Sequence, residues 1–414
     1  MRGVVFDLSL ARYALAKGLG RWVPALYTGR ASCLSLRELP EPRPPDDRWA
    51  VLAPTHAGLC GSDLATIFLE TPPSLEPFSS FPCVLGHEIL ARVVQPPRGS
   101  ELKEGDRVVV DPLLPCALRG VRPVCPACHE GKPNRCRSFA RGHLAPGMML
   151  GFHRDLPGGF GDRMVAHGSQ LHRVPDGIPD TRAALAEPMA VGLHAALVHR
   201  PRAGDLALVI GGGPIAMALI WALRVLEARP ATLALLTLLD YQAHLGTALG
   251  ATSAHVARTL EEVLAETCRV TGATSHQPIV GPPTLVGGFD VVYDCVGSRD
   301  TIEQAMRVTR AGGTVVVVGA PGTVGAMDLS FLWSKELKIK GTVAYGNEDI
   351  PGKGKQKTFD LALEAMTDAT LGAPLDRLVT HTLPLERYQE AVAINVSRAR
   401  YRSVKTLLTT GTTG

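Results

Sequence analysis

From Leu206 to Gly346 the chain alternates strand-like with helix-like segments, and the first crossing reads LALVIGGGPIAMALI. An apolar strand turns through three glycines into a helix. Beyond it, ATLALLTLLD, FDVVYDCVG, GTVVVVGAPG and ELKIKGTVAYG have strand character, while PIAMALIWALRVLEA and SRDTIEQAMRVTR have helical spacing. This alternation predicts a doubly wound parallel sheet with helices on its faces, because parallel strands need crossover connections. Gly211, Gly213 and Ala216 form a G-x-G-x-x-A turn. Glycine is needed there for the tight turn and for close approach of a pyrophosphate to the backbone, and the helix N-terminus then attracts the anion. Gly211, Gly213, Pro214 and Ile215 are therefore candidate dinucleotide contacts. The plain alternative is a structural turn with no ligand.

Before this region the pattern differs. WAVLAPTHAGLCGSD, CVLGHEILARVVQPP and GDRVVVDPLLP are short apolar or alternating runs broken by Gly and Pro, as in an irregular β-rich domain. After Gly346, KTFDLALEAMTDA reads as an amphipathic helix and SVKTLLTT returns to mixed structure. The 414 residues suffice for two domains. The expected division is 1–190, 191–345, and 346–414 returning to the first domain. HQPIVGPPTLVGG, His276 to Gly288, reads as a surface loop.

An acid at the end of the second strand would bind the ribose hydroxyls of NAD. Asp240 lies near that end, 29 residues beyond Gly211, and no arginine is adjacent to it in sequence. Counting back from LGAT instead puts Thr237 at the ribose position, which carries no charge to repel a 2′-phosphate. The balance leans to NAD over NADP.

Four of the nine cysteines fall between Cys116 and Cys136. Disulfides, a metal cage and reactive thiols are all open readings. The N-terminal segment breaks its apolar residues with Asp7, Arg12 and Lys17, unlike a signal peptide. A reducing cytoplasmic location is the expectation, and it disfavours disulfides. Elsewhere Cys60, His87, Glu88 and Glu187 offer thiolate, imidazole and carboxylates, a donor set that suits catalytic zinc. Singly, each has an ordinary reading as a buried thiol, a core histidine or a carboxylate at a helix start.

Taken together, GLCGSD, GHE, the cysteine string, EP, the glycine turn, FDVVYDCVG and AGGTVVVVGAPG resemble the zinc-dependent medium-chain dehydrogenase/reductase superfamily, in its sorbitol and threonine dehydrogenase branch. The resemblance covers nearly the whole chain. It implies an α/β chain with a β-rich GroES-like catalytic domain, plus a doubly wound parallel-sheet Rossmann domain. It implies a catalytic zinc at Cys60, His87 and Glu88, with Glu187 as fourth ligand or partner of the zinc-bound water. Ser62 would relay the substrate proton, and Asp63 would orient the histidine. Further cofactor contacts would come from Val296, Gly297, Val318 and Gly319. The spacing of Cys125, Cys128 and Cys136 matches the last three ligands of the family's structural zinc lobe, expected at about 112–140. Cys116 stands nine residues before Cys125 where relatives have three, and loop closure costs little over that difference. Four thiolates would close a tetrahedral structural site, giving two zinc ions per chain. Cys33, Cys83, Cys268 and Cys295 read as packing residues.

Two departures stand out. Ala65 occupies a position where many relatives have His. The stretch from Asp7 to Ser32 is longer than the usual link; it reads first as an ordinary packed surface helix, next as an amphipathic helix near the substrate cleft or at a subunit contact, and last as a membrane-surface element. The formal charge of +4 is too slight to argue for nucleic acid, and no apolar run is long enough to span a membrane. The expected activity is zinc-dependent, NAD(P)-linked oxidation of an alcohol or polyol, or the reverse reduction of a carbonyl. The expected partners are that small substrate and other copies of the chain, as a homodimer or homotetramer, with no nucleic acid and no membrane. The rival readings are a zinc-free reductase of the same fold and a non-catalytic dinucleotide-binding protein.

Overall fold

The computed structural model describes residues 1–350 and 352–411. The chain forms two compact units. The first comprises Met1–Glu187, Gly346–Gly372 and Val379–Gly414, of which 412–414 lie outside the described residues. The second comprises Pro188–Tyr345 and the short piece Ala373–Leu378.

The first unit is built on a seven-stranded sheet. Its path runs Val379–Pro384, Lys405–Thr409, Trp49–Gly58, Glu88–Gln95, Arg107–Val110 and Leu171–Arg173, and Met164–His167 also pairs with Trp49–Gly58. The pairing is antiparallel throughout, apart from the parallel couple at the C-terminal edge. Alternation along Trp49–Gly58 buries Ala50, Leu52 and Pro54 and leaves the intervening Val51 and Ala53 partly exposed, as one better-covered sheet face requires. A separate three-stranded sheet joins Leu34–Glu38, Arg2–Phe6 and Cys83–Val84.

The long N-terminal link folds into helix Leu10–Leu19 and a short turn of helix at Ala25–Thr28. Its inner side packs: Ala16 is buried, and Tyr13, Leu26 and Tyr27 lie against the core that includes Phe6 and Leu85. Tyr27 meets Phe68 at 5.0 Å between ring centroids. Its outer side departs from the expectation of an ordinary packed surface helix. Leu10, Leu15, Leu19 and Trp22 are exposed. Each such leucine forgoes the roughly 1.5–3 kcal/mol that burial yields.

The second unit carries a six-stranded sheet in the order Ser253–Val256, Thr232–Thr237, Leu206–Ile210, Phe289–Asp294, Thr309–Val317, Lys338–Gly341. Every pairing in it is parallel. The central strands carry the apolar runs, and Leu208, Val292 and Val315 in them are fully buried, as strands covered on both faces require. Helix Arg299–Val308 begins at Ser298, whose hydroxyl accepts from the Thr301 backbone N–H. Lys335 turns its ammonium back to donate to the carbonyls of Arg307 and Thr309, which are left without helical partners where that helix ends. The stretch read as a loop from His276 to Gly288 holds a strand, Thr284–Val286, that forms a hairpin with Thr274–His276. Three-residue strands separated by a Pro/Gly segment are too short to show period-two alternation.

Candidate active site

Strand pairing explains how residues far apart in sequence meet. Gly58 sits opposite Glu88 in the antiparallel ladder, so Cys60, just past the end of one strand, lies near His87, just before the start of the other. One donor atom from each of Cys60, His87 and Glu88 falls within 4.8 Å of the other two. His87 and Glu88 are buried. Ladder pairing also brings in the C-terminal strand, where Leu407 pairs with Gly58 and Lys405 falls alongside Cys60. The Lys405 ammonium stands 2.5 Å from both Glu88 oxygens and 3.3 Å from the Leu59 carbonyl. Both members of this ion pair are 1% exposed. Burial alone would lower the Lys405 pKa, but Glu88, with help from Cys60 and Glu187, raises it above the ordinary lysine value.

Gly58 is required by this packing. A Cβ there would stand 1.9 Å from Glu88 Oε2.

Asp63, fully buried in helix Gly61–Ile67, accepts the Cys60 backbone N–H at 2.9 Å and places its other oxygen 3.5 Å from His87 Nδ1. Burial opposes charge on His87, yet Asp63 and Cys60 carry its pKa well above the usual value. The cluster is thus anionic and draws positive charge into itself. That is the electrostatic condition for holding a cation, and the thiolate, imidazole and carboxylate donors fit zinc. The Ser62 hydroxyl lies 3.4 Å from His87 Nε2. Glu187 is buried in the first turn of helix Ala186–Val198 and is not one of the three clustered donors.

The second cluster gathers Cys116, Cys125, Cys128 and Cys136, one sulfur from each lying within 4.8 Å of the others. All nine cysteines are free thiols. Burial works against a thiolate at Cys125, but N–H groups of Arg137 and Cys128 and the neighbouring thiols bring its pKa down to about 6. Four sulfurs in one small volume, with backbone donors aimed at them, suit a closed tetrathiolate site.

The additional residues between Cys116 and Cys125 have a structural use. They supply Arg119, fully buried, whose guanidinium donates to the carbonyls of Arg141 (2.7 Å), Leu144 (2.8 Å), Gly147 (3.1 Å) and Ala145. Burial lowers its pKa while the Cys136 and Cys116 thiols oppose that shift. Arg119 thus ties loop 141–147 to the cysteine lobe and places a cation near its sulfurs. Replacing Arg119 with Met is expected to cost on the order of 3 kcal/mol by leaving several carbonyls unpaired. A lower thermal midpoint and faster zinc release to a chelator would be the readouts.

In the second unit the candidate cofactor residues converge at the carboxyl ends of the central strands. Gly211, at φ +114°, lies so close to Val296 that a Cβ would approach its Cγ2 to 2.8 Å. Gly297 and Gly319 approach each other equally closely, with a Cβ on Gly297 standing 2.9 Å from the Gly319 carbonyl carbon. Gly213 caps helix Pro214–Val225, which starts at Pro214 and Ile215. The buried Asp294 carboxylate, not anticipated from sequence, accepts N–H groups of Val296 and Gly297, and its backbone oxygen accepts those of Val318 and Gly319. The arrangement is a backbone-lined edge at the point where strand order reverses, the place where open parallel sheets take nucleotides.

At the ribose end the structure differs from the sequence picture. Thr237 ends its strand, buried and donating to Gln242 at 2.5 Å. Asp240 lies beyond it, exposed at the first position of helix Asp240–Leu249. An arginine does stand near it: Arg258 Nη2 is 4.0 Å from Asp240 Oδ2. Arg258 follows the neighbouring strand, so only the parallel pairing of Thr237 with Val256 reveals its proximity.

Two family descriptions match the sequence: the alcohol dehydrogenase GroES-like domain over residues 46–176, and zinc-binding dehydrogenase over 220–367. L-idonate 5-dehydrogenase of Vitis vinifera is 26% identical, over 84% of this chain and 85% of its own. Sorbitol dehydrogenase of Bombyx mori is 25% identical, over 89% of this chain and 94% of its own. Among solved structures, a Sinorhizobium meliloti 1021 protein bound to NADP superposes with a TM-score of 0.69 at 23% identity, covering 91% of this chain and 96% of that one.

Proposed function

Because this chain belongs to the zinc-dependent medium-chain dehydrogenase/reductase superfamily, in its sorbitol dehydrogenase-like branch, we propose that it interconverts an alcohol or polyol and its carbonyl with a nicotinamide dinucleotide. The observation that carries this is the meeting of Cys60, His87 and Glu88 in a chain that also holds the glycine-lined edge for a dinucleotide. Zinc held there would supply Lewis acidity towards an alcohol oxygen, and a bound nicotinamide dinucleotide would supply the hydride acceptor or donor.

The chain's own residues do the rest. Cys60, His87 and Glu88 hold the catalytic metal, with Glu187 as a fourth, exchangeable donor. Asp63 fixes Cys60 through its N–H and orients the imidazole. Ser62, beside His87, takes the hydroxyl proton of the substrate and passes it on. Cys116, Cys125, Cys128 and Cys136 hold a second, structural zinc. Reduction of NAD and NADP by the full chain, across polyols, 3-hydroxy acids and aliphatic and benzylic alcohols, tests the activity. Silence across that panel, in protein carrying both metals, would overturn it.

The neutral Thr237 at the strand end and the nearby Arg258 support acceptance of NADP alongside NAD. Arg258→Ala is expected to lower kcat/KM for NADP about tenfold while changing that for NAD less than twofold, because only NADP presents a 2′-phosphate. Equal losses with both cofactors would exclude Arg258 from phosphate recognition.

A further inference from the structure

We propose that the outer face of helix Leu10–Leu19, with the turn after it, is a docking surface for an anionic phospholipid bilayer. Among the described residues no helix is long and apolar enough to cross a membrane, so the contact proposed is peripheral. The helix is inverted relative to an ordinary surface helix. Its buried and half-buried side holds Ala16, Tyr13 and Arg12, and the Arg12 guanidinium is used on the Ser32 carbonyl. Its solvent side presents Leu10, Ala14 and Leu15 with no polar side chain among them. Leu10 is 82% exposed. The apolar strip continues past the helix into Trp22, which is 66% exposed, and Val23.

The charged side chains of the helix and of the turn after it have one sign. Lys17 and Arg21 flank the apolar strip, both exposed, and Arg21 lies over the Trp22 ring at 4.8 Å. No acidic residue occurs between Asp7 and Glu38, while Arg12, Lys17, Arg21, Arg30 and Arg37 do. An apolar face, flanking cations and an exposed tryptophan are the features of a helix lying in the plane of a membrane interface. A second copy of this chain is a poor occupant, because a two-fold contact would bring two patches of the same charge together. Anionic headgroups complement them, and each cation near such a surface strengthens binding about fivefold.

The test is flotation of the full chain with vesicles of phosphatidylcholine alone and with phosphatidylglycerol added, at physiological ionic strength. Binding to the anionic vesicles only is expected. Lys17→Glu with Arg21→Glu should weaken it at least twentyfold, and Leu10→Ser with Leu15→Ser and Trp22→Ser should abolish it. These side chains are exposed, so circular dichroism and zinc content should match the unaltered protein in both variants. No binding to either vesicle would overturn the proposal, as would equal binding to both. If the serine variant instead breaks an oligomer seen by light scattering, and the unaltered chain ignores vesicles, the face belongs to a second copy and the proposal fails.

Discussion

Replacing Cys60 with serine should cut turnover of the best alcohol substrate about a thousandfold and lower the zinc content by about one ion per chain. The thiolate is the softest donor of the three that meet there, and a serine hydroxyl stays protonated at neutral pH. The site would keep one imidazole and the carboxylates of Glu88 and Glu187, of which Glu88 is already held by Lys405. Losing several kcal/mol of Lewis-acid stabilisation corresponds to about three powers of ten in rate. Cofactor affinity, read by fluorescence of the reduced nicotinamide, should stay within twofold, because the glycine-lined edge belongs to the other unit. Metal analysis and turnover must fall together. Turnover that survives loss of the metal would replace the zinc mechanism with a metal-free reduction on the same fold.

The second large effect concerns stability. Lys405→Met is expected to destabilise the chain by about 3–5 kcal/mol, since it leaves the Glu88 carboxylate buried without its partner. Adding Glu88→Gln should recover most of that loss, because the remaining amide is neutral. A denaturation series on metal-stripped protein separates this effect from zinc binding. The pH dependence carries a definite sign. The folded-state pKa of Lys405 is raised above its unfolded value, so its contribution is fully present below the unfolded pKa of about 10.5 and is lost as pH rises through the folded one. On the alkaline side, the stability difference between the unaltered chain and the Lys405→Met variant should therefore stay flat near neutrality and shrink at strongly alkaline pH. A difference that vanished on acidification alone would point to a group other than the lysine.

The centre of the parallel sheet was legible because its four central strands carry apolar runs, and Leu206–Ile210 and Phe289–Asp294 lie where the pattern put them, whereas the edge strand Ser253–Val256 has no such run and was not read. The three clustered donors were legible through short, local motifs, GLCGSD and GHE. Lys405 was not. It stands 317 positions from Glu88, and only the pairing of the last strand with Trp49–Gly58 joins them. The available signal was a lone lysine in the apolar stretch SVKTLLTT, at a position where burial demands a partner. Arg119 was hidden in the same way: additional chain between two cysteines looks like tolerated loop length, whereas its buried guanidinium organises the carbonyls of a second loop. Arg258 became visible only with strand order. The N-terminal helix was legible as amphipathic, but periodicity alone does not say which face turns inward.

Gly58 allows a separation that substituting a ligand cannot make. Exchanging a donor alters chemistry and geometry together, whereas a methyl group at 58 would keep every donor's chemistry and force the Glu88 carboxylate to move. Gly58→Ala then acts as a mechanical gauge of how far one oxygen pair can be pushed before metal content, and afterwards rate, gives way. If content holds while rate falls, reactivity is set by the position of that carboxylate rather than by its presence.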